Sequence, residues 1–128
     1  MKLRVRPDSP VPIYEQIAAQ LTFAVAAGDL PPGELVPSVR DLAAELVVNP
    51  NTVQRAYTEL ERAGVLETRR GLGMAVTPDA PKLCRNQRKT LVLTRLREAL
   101  REAAAAGLTA VDVVKMVEDE WPRRNQSP

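Results

Sequence analysis

The sequence predicts a mainly α-helical protein with one small β element near its middle and two further helices after it. Three observations predict this. Apolar residues recur at helical spacing in five separate segments. Two short runs of strand character flank a turn with two glycines. The composition then shifts at Lys82, where a basic stretch begins.

Taken in order, residues 2–6 (KLRVR) alternate polar and apolar and predict a short strand before the turn Pro7-Asp8-Ser9-Pro10. Pro12 suits the first turn of a helix, where its missing N–H is no loss. Ile13, Ile17, Leu21, Ala24 and Val25 share one face of that helix, which Gly28 stops. Leu30-Pro31-Pro32-Gly33 is a connector. Ser38, with Asp41 three residues on, resembles a capping box for a short second helix whose stripe is Val39, Leu42 and Leu46. Asn49-Pro50 opens the third helix as an N-cap followed by proline at the first helical position, and Gly64 is its left-handed stop. Residues 65–69 and 74–77 around Arg70-Gly71-Leu72-Gly73 predict a hairpin, and residues 78–81 a linker. Leu93, Leu96, Leu100 and Ala103, widened by Val92 and Ala99, form a seam on a long helix ending before Gly107. Thr109 and Asp112 cap a last helix with an apolar face of Val114, Val117 and Trp121, and residues 122–128 predict a frayed tail.

A short helix and a capped helix joined by a tight turn make a helix-turn-helix, and the hairpin makes it winged. The expected organisation is a winged helix-turn-helix domain over residues 1–78 and a two-helix C-terminal dimerisation region over residues 79–128.

Composition excludes several function classes. The 128 residues contain no histidine and one cysteine, so no Ser/His or Cys/His couple, imidazole metal site or internal disulfide can form. No acid/base pair can be assembled either, and the chain is not expected to be an enzyme or to hold a cofactor or metal. No apolar run approaches the ~20 residues that cross a bilayer, and no h-region follows the basic N-terminus. A cytoplasmic protein with no membrane partner is expected. Net charge is only +2, but its placement is uneven. Residues 1–81 carry 8 basic and 10 acidic side chains, residues 82–101 carry 7 basic against Glu98, and residues 102–121 carry Lys115 against five acids. Bulk charge therefore does not announce a nucleic-acid binder, and local placement has to.

The third helix supplies that placement. At about 100° per residue, Val53, Ala56, Tyr57 and Leu60 fall in one arc, while Pro50, Asn51, Gln54, Arg55 and Thr58 fill the opposite one. The outward stripe has no acid before Glu59. Amide, guanidinium and hydroxyl groups near a helix N-terminus are those that read base edges and phosphates in a major groove, although any surface helix turns polar residues outward. Arg40, in the first turn of the second helix, could reach a phosphate or pair with Asp41 or Glu45. Arg69-Arg70 at the hairpin tip could enter a minor groove or simply be solvated. Cys84 could be a sensor or a buried thiol. The basic segment 82–101 could flank DNA, meet the acidic segment across a dimer, or balance it within one chain.

Residues 11–77 resemble the DNA-binding domain of the GntR family of bacterial transcription regulators. The stretches that carry the resemblance are PIYEQIAAQL, LPPGELVPSVRDLAAEL and VNPNTVQRAYTELERAGVLETRRGLGMAV, in order and at the family's spacing. The NPNTVQRAY version and the short helical tail are similar to the YtrA subfamily, where such a two-helix region mediates dimerisation. The resemblance implies that Arg40 touches DNA as the arginine of a PSxR motif. It places Asn49, Pro50, Asn51, Thr52, Gln54 and Arg55 at the front of the recognition helix, and Arg70 and Gly71 at a wing tip in the minor groove. Two positions depart from the family pattern. Val36 stands where leucine is common, and Ala75 replaces the usual aromatic of the second wing strand, which should loosen the wing. No large effector domain and no PLP-binding extension is expected. Two helices are too few to enclose a pocket of roughly 300 Å³ without a partner subunit, and the effector stays unknown.

The seam of Leu93, Leu96 and Leu100, with Val114, Val117 and Trp121, is too apolar to leave wet, which predicts pairing with a second copy. The expected function is sequence-specific binding of double-stranded DNA by a homodimer. It would be a repressor on a palindromic operator, with transporter, cell-envelope or its own genes as targets by resemblance. The rival is a winged helix used only for protein contact.

Overall fold

The alternating residues 2–6 form no strand in the computed structural model, which describes residues 2–122. Leu3 is buried as alternation requires, but side chains take the place of a strand partner. Gln20 accepts from the Arg4 N–H at 3.0 Å and donates to the Arg4 carbonyl. Gln16 accepts from the Arg6 N–H at 2.7 Å and donates to the Arg6 carbonyl at 3.0 Å. Two amide side chains, one helical turn apart, thus satisfy the backbone groups that a sheet would otherwise pair.

Those glutamines lie on α1 (Ile13–Ala27). Pro12 is its N-cap rather than its first helical residue, and its carbonyl accepts from Glu15 and Gln16. Ile17, Leu21, Ala24 and Val25 are buried, as their spacing predicts. After α1, residues 33–36 do more than connect. Gly33 and Val36 donate to the carbonyls of Val76 and Met74, Val76 donates to Glu34, and Leu35 bridges to Ala75.

The helix-turn-helix is α2 (Val39–Leu46) and α3 (Pro50–Arg62). Ser38 caps α2 by accepting from the Asp41 N–H at 3.1 Å. The reciprocal bond from the Ser38 N–H to the Asp41 carboxylate is absent among the described residues, so the box is half formed. Leu42 and Ala43 are buried on α2, with Val39 and Leu46 half-buried beside them. The wing is β1 (Leu66–Arg69) paired antiparallel with β2 (Gly73–Val76), in the register Leu66 to Val76 and Arg69 to Gly73. Ala75 is fully buried and bridged by Leu35, so the small residue that should have loosened the wing is itself packed.

The next helix, α4 (Ala80–Ala105), starts inside the expected linker. Ala80 and Cys84 have no exposure and belong to the winged-helix core. By contact, the compact unit that holds the winged helix extends to Lys89, and a second unit begins at Thr90. Burial pushes the Cys84 thiol up, the state of a packing residue rather than a reactive one.

In the second unit, α4 ends at Ala105, Gly107 takes a positive φ in the turn after it, and α5 (Ala110–Glu120) follows. The capping box is complete here: Asp112 N–H donates to Thr109 Oγ1 at 3.1 Å and Thr109 N–H donates to Asp112 Oδ2 at 2.9 Å. Trp121 lies just past the helix as its C-cap. No described residue from Thr90 onward is buried. Apart from Pro122, the expected frayed tail lies outside the described residues.

Candidate nucleic-acid interface

The outward face of α3 starts from how its N-terminus is built. Asn49 accepts from the Asn51 N–H at 2.8 Å, and Pro50 follows at the first helical position, so the helix begins abruptly at the surface. No acid lies in its first turn. The partial positive charge of the helix end is therefore not quenched by its own side chains. Val53, Ala56, Tyr57 and Leu60 are buried against α1 and α2, which fixes the helix rotation. Asn49, Pro50, Asn51, Gln54 and Arg55 are exposed, and Thr52 and Thr58 are half-buried.

These groups differ in how free they are. The Asn49 carbonyl oxygen is committed to the cap, leaving its amide as the outward donor. Gln54 donates from Nε2 to Thr58 Oγ1 at 3.2 Å, which holds the amide along the helix surface. Arg55 lies over the Tyr14 ring, 3.8 Å from its centroid, and donates from Nη2 to the Tyr14 hydroxyl at 3.2 Å. That hydroxyl donates in turn to Glu15 at 3.2 Å. Desolvation first, and the bond to Glu15 second, hold the phenol above its ordinary 10.0.

Sequence reasoning missed Tyr14. It shares a face with Leu21 and Val25, seven and eleven residues on, and that spacing aims it along the buried stripe.

Arg40 is exposed on α2, and among the described residues no acid lies within 4.0 Å of it, so the expected alternative of pairing with Asp41 or Glu45 is not realised. Its placement depends on a buried tie. Tyr57, on the inner face of α3, donates to the Pro37 carbonyl at 2.7 Å, one residue before the α2 cap. Burial drives the Tyr57 phenol far above its usual range, so it stays a donor at any physiological pH.

At the wing tip Arg70 and Gly71 are exposed. Gly71 has φ +78, and a Cβ there would meet nothing within 4 Å, so conformation rather than space selects glycine. Arg69 pairs with Glu67 at 3.7 Å, leaving Arg70 as the unpaired guanidinium of the tip among the described residues.

The six expected dimerisation residues all lie at the surface of the second unit. Leu93, Leu96, Leu100, Val114, Val117 and Trp121 are exposed by 42–70%. Leu100 and Val114 help line an open apolar groove of about 310 Å³ between α4 and α5, together with Ala103, Ala104 and Val113. Among the described residues no ion pair joins α4 to α5, so the basic stretch is not balanced within the chain by direct contact. One member of that stretch has another use: Arg88 packs over the Phe23 ring at 3.6 Å, within the first unit. Among the described residues no helix is long and apolar enough to cross a membrane.

Residues 13–76 match the family of bacterial regulatory proteins called the gntR family. The chain is 39% identical over 106 residues to the HTH-type transcriptional repressor YtrA of Bacillus subtilis, covering 83% of this chain and 82% of that one. Among solved structures it is similar to a transcriptional regulator from Oenococcus oeni, with a TM-score of 0.79 and 30% identity over 90% of this chain and 95% of that one. It is also similar to YtrA from Sulfolobus acidocaldarius, a GntR-family transcription factor, with a TM-score of 0.60 and 33% identity over 74% of this chain and 97% of that one.

Proposed function

The chain belongs to the GntR family of bacterial regulatory proteins and is a DNA-binding transcriptional regulator with a winged helix-turn-helix, and we propose that it works in the cytoplasm as a homodimeric repressor of a palindromic operator. The observation that carries this is the front of α3. It is an exposed, acid-free helix N-terminus bearing Asn51, Gln54 and Arg55, on a helix whose opposite face is locked into the core.

In this proposal Asn51 and Gln54 read base edges, each good bidentate pair contributing about 1–3 kcal/mol of discrimination. Arg40 and Arg55 hold phosphates or purine edges, and Thr52 and the Asn49 amide add contacts at the helix start. Arg70 enters the minor groove, with Gly71 allowing the backbone to come close. One such set is a small interface, and two on a dyad double it while matching operator symmetry. The second unit supports the dimer. It has no buried residue among those described, yet it carries six large apolar side chains at its surface, and a second copy would cover them. The Bacillus subtilis relative is named a transcriptional repressor, which supports repression here, and a dimer seated on a promoter would repress by occluding it.

Arg40→Ala and Arg55→Ala test the proposal. Each should weaken operator binding by roughly tenfold or more in a mobility-shift assay, the scale of one lost contact of about 1–3 kcal/mol, while the sedimentation coefficient of the dimer is unchanged. Wild-type affinity in both variants would remove the assigned interface.

A further inference from the structure

We infer that Tyr14 of α1 is a positioning residue for DNA recognition, holding the Arg55 guanidinium in its binding pose before DNA arrives; this rests on the regulator reading above. An arginine on an open helix face samples many rotamers, and fixing it on binding costs affinity. Here the guanidinium carbon Cζ lies over the Tyr14 ring, 3.8 Å from its centroid, with one donor on the Tyr14 oxygen at 3.2 Å. That contact uses one of the five N–H donors and leaves others for phosphate or guanine.

The holder is an aromatic ring and not a carboxylate, which matters for the charge. Among the described residues Arg55 has no acid within 4.0 Å, so its full positive charge stays available to DNA. Tyr14 is itself fixed, since its hydroxyl accepts from Arg55 and donates to Glu15. The sequence separation of 41 residues means that α1, outside the helix-turn-helix, orients a side chain of the recognition helix.

The experiment is a double-mutant cycle on the full chain. Tyr14→Leu and Tyr14→Phe are made in the wild-type and Arg55→Ala backgrounds. Affinity is read by fluorescence anisotropy on a labelled duplex enriched by the wild-type protein from a randomised pool. Tyr14→Leu should weaken binding about two- to fivefold in the wild type, the range expected for an exposed cation–π contact, and leave Arg55→Ala unchanged. Tyr14→Phe, which keeps the ring and guards against misfolding, should stay close to wild type. Equal weakening by Tyr14→Leu in both backgrounds, or none in the wild type, overturns the inference. Enrichment of no sequence by the wild type overturns the regulator reading itself, and this inference with it.

Discussion

Val47→Gly should stabilise the protein, and the reason lies in how the helices end. Four helices close with the same pair of backbone bonds around a left-handed residue: Gly28 after α1, Val47 after α2, Gly64 after α3 and Gly107 after α4. Three are glycine. Val47, at φ 55 and ψ 52, is a β-branched residue in a conformation that costs an L-residue roughly 1–2 kcal/mol. Its side chain is 89% exposed, so truncation forfeits almost no burial. Glycine returns about 0.5–1 kcal/mol of that gain through the greater freedom of its unfolded chain. The net expectation is about 0.5–1 kcal/mol, which at roughly 4–8 °C per kcal/mol for a unit of this size raises Tm by about 2–8 °C. Thermal denaturation followed by circular dichroism, at one fixed protein concentration because self-association shifts Tm, is the assay. Val47→Ala keeps the Cβ and should recover less. An unchanged or lowered Tm for Val47→Gly would refute the strain argument.

Three further outcomes follow from the same structure. Tyr57→Phe removes the buried bond to the Pro37 carbonyl and should cost about 1–2 kcal/mol in urea denaturation; an unchanged midpoint contradicts the proposed tie between α2 and α3. Asp112 is held below its ordinary 3.8 by the Thr109 backbone N–H and then by its side chain, so its contribution is present above that value and lost as pH falls through the lower folded one. Helicity should therefore drop on acidification below about pH 4 more in the wild type than in Asp112→Asn, and identical acid profiles would contradict the cap. Leu96→Glu puts a charge in the middle of the exposed α4 seam and should yield monomers by analytical ultracentrifugation, whereas an intact dimer would place the interface elsewhere.

What could be read from the sequence was local. The Ser38, Asn49-Pro50 and Thr109/Asp112 caps depend on residues two or three apart, and each makes its predicted bond. The two faces of α3 follow from a 3.6-residue repeat with a strong apolar contrast. What escaped was non-local. Gln16 and Gln20 pair with residues 10 and 16 positions earlier, so a strand-like alternation became a segment tied to a helix. Residues 33–36 join the wing across some forty residues, and no periodicity records that. Ala80 and Cys84 look like the start of a new region because the surrounding surface turns basic, yet their own small side chains fit the first core. Arg55 was legible as an outward cation, whereas the ring it rests on was not.

The central claim is that the exposed front of α3 meets a duplex twice per assembly. Hydroxyl-radical footprinting on the DNA upstream of the chain's own gene tests it most directly. Two protected patches related by a dyad, centred one helical turn of about 10 bp or a multiple of it apart, are the predicted result. A single patch without a dyad, or no protection at any salt concentration, would contradict it.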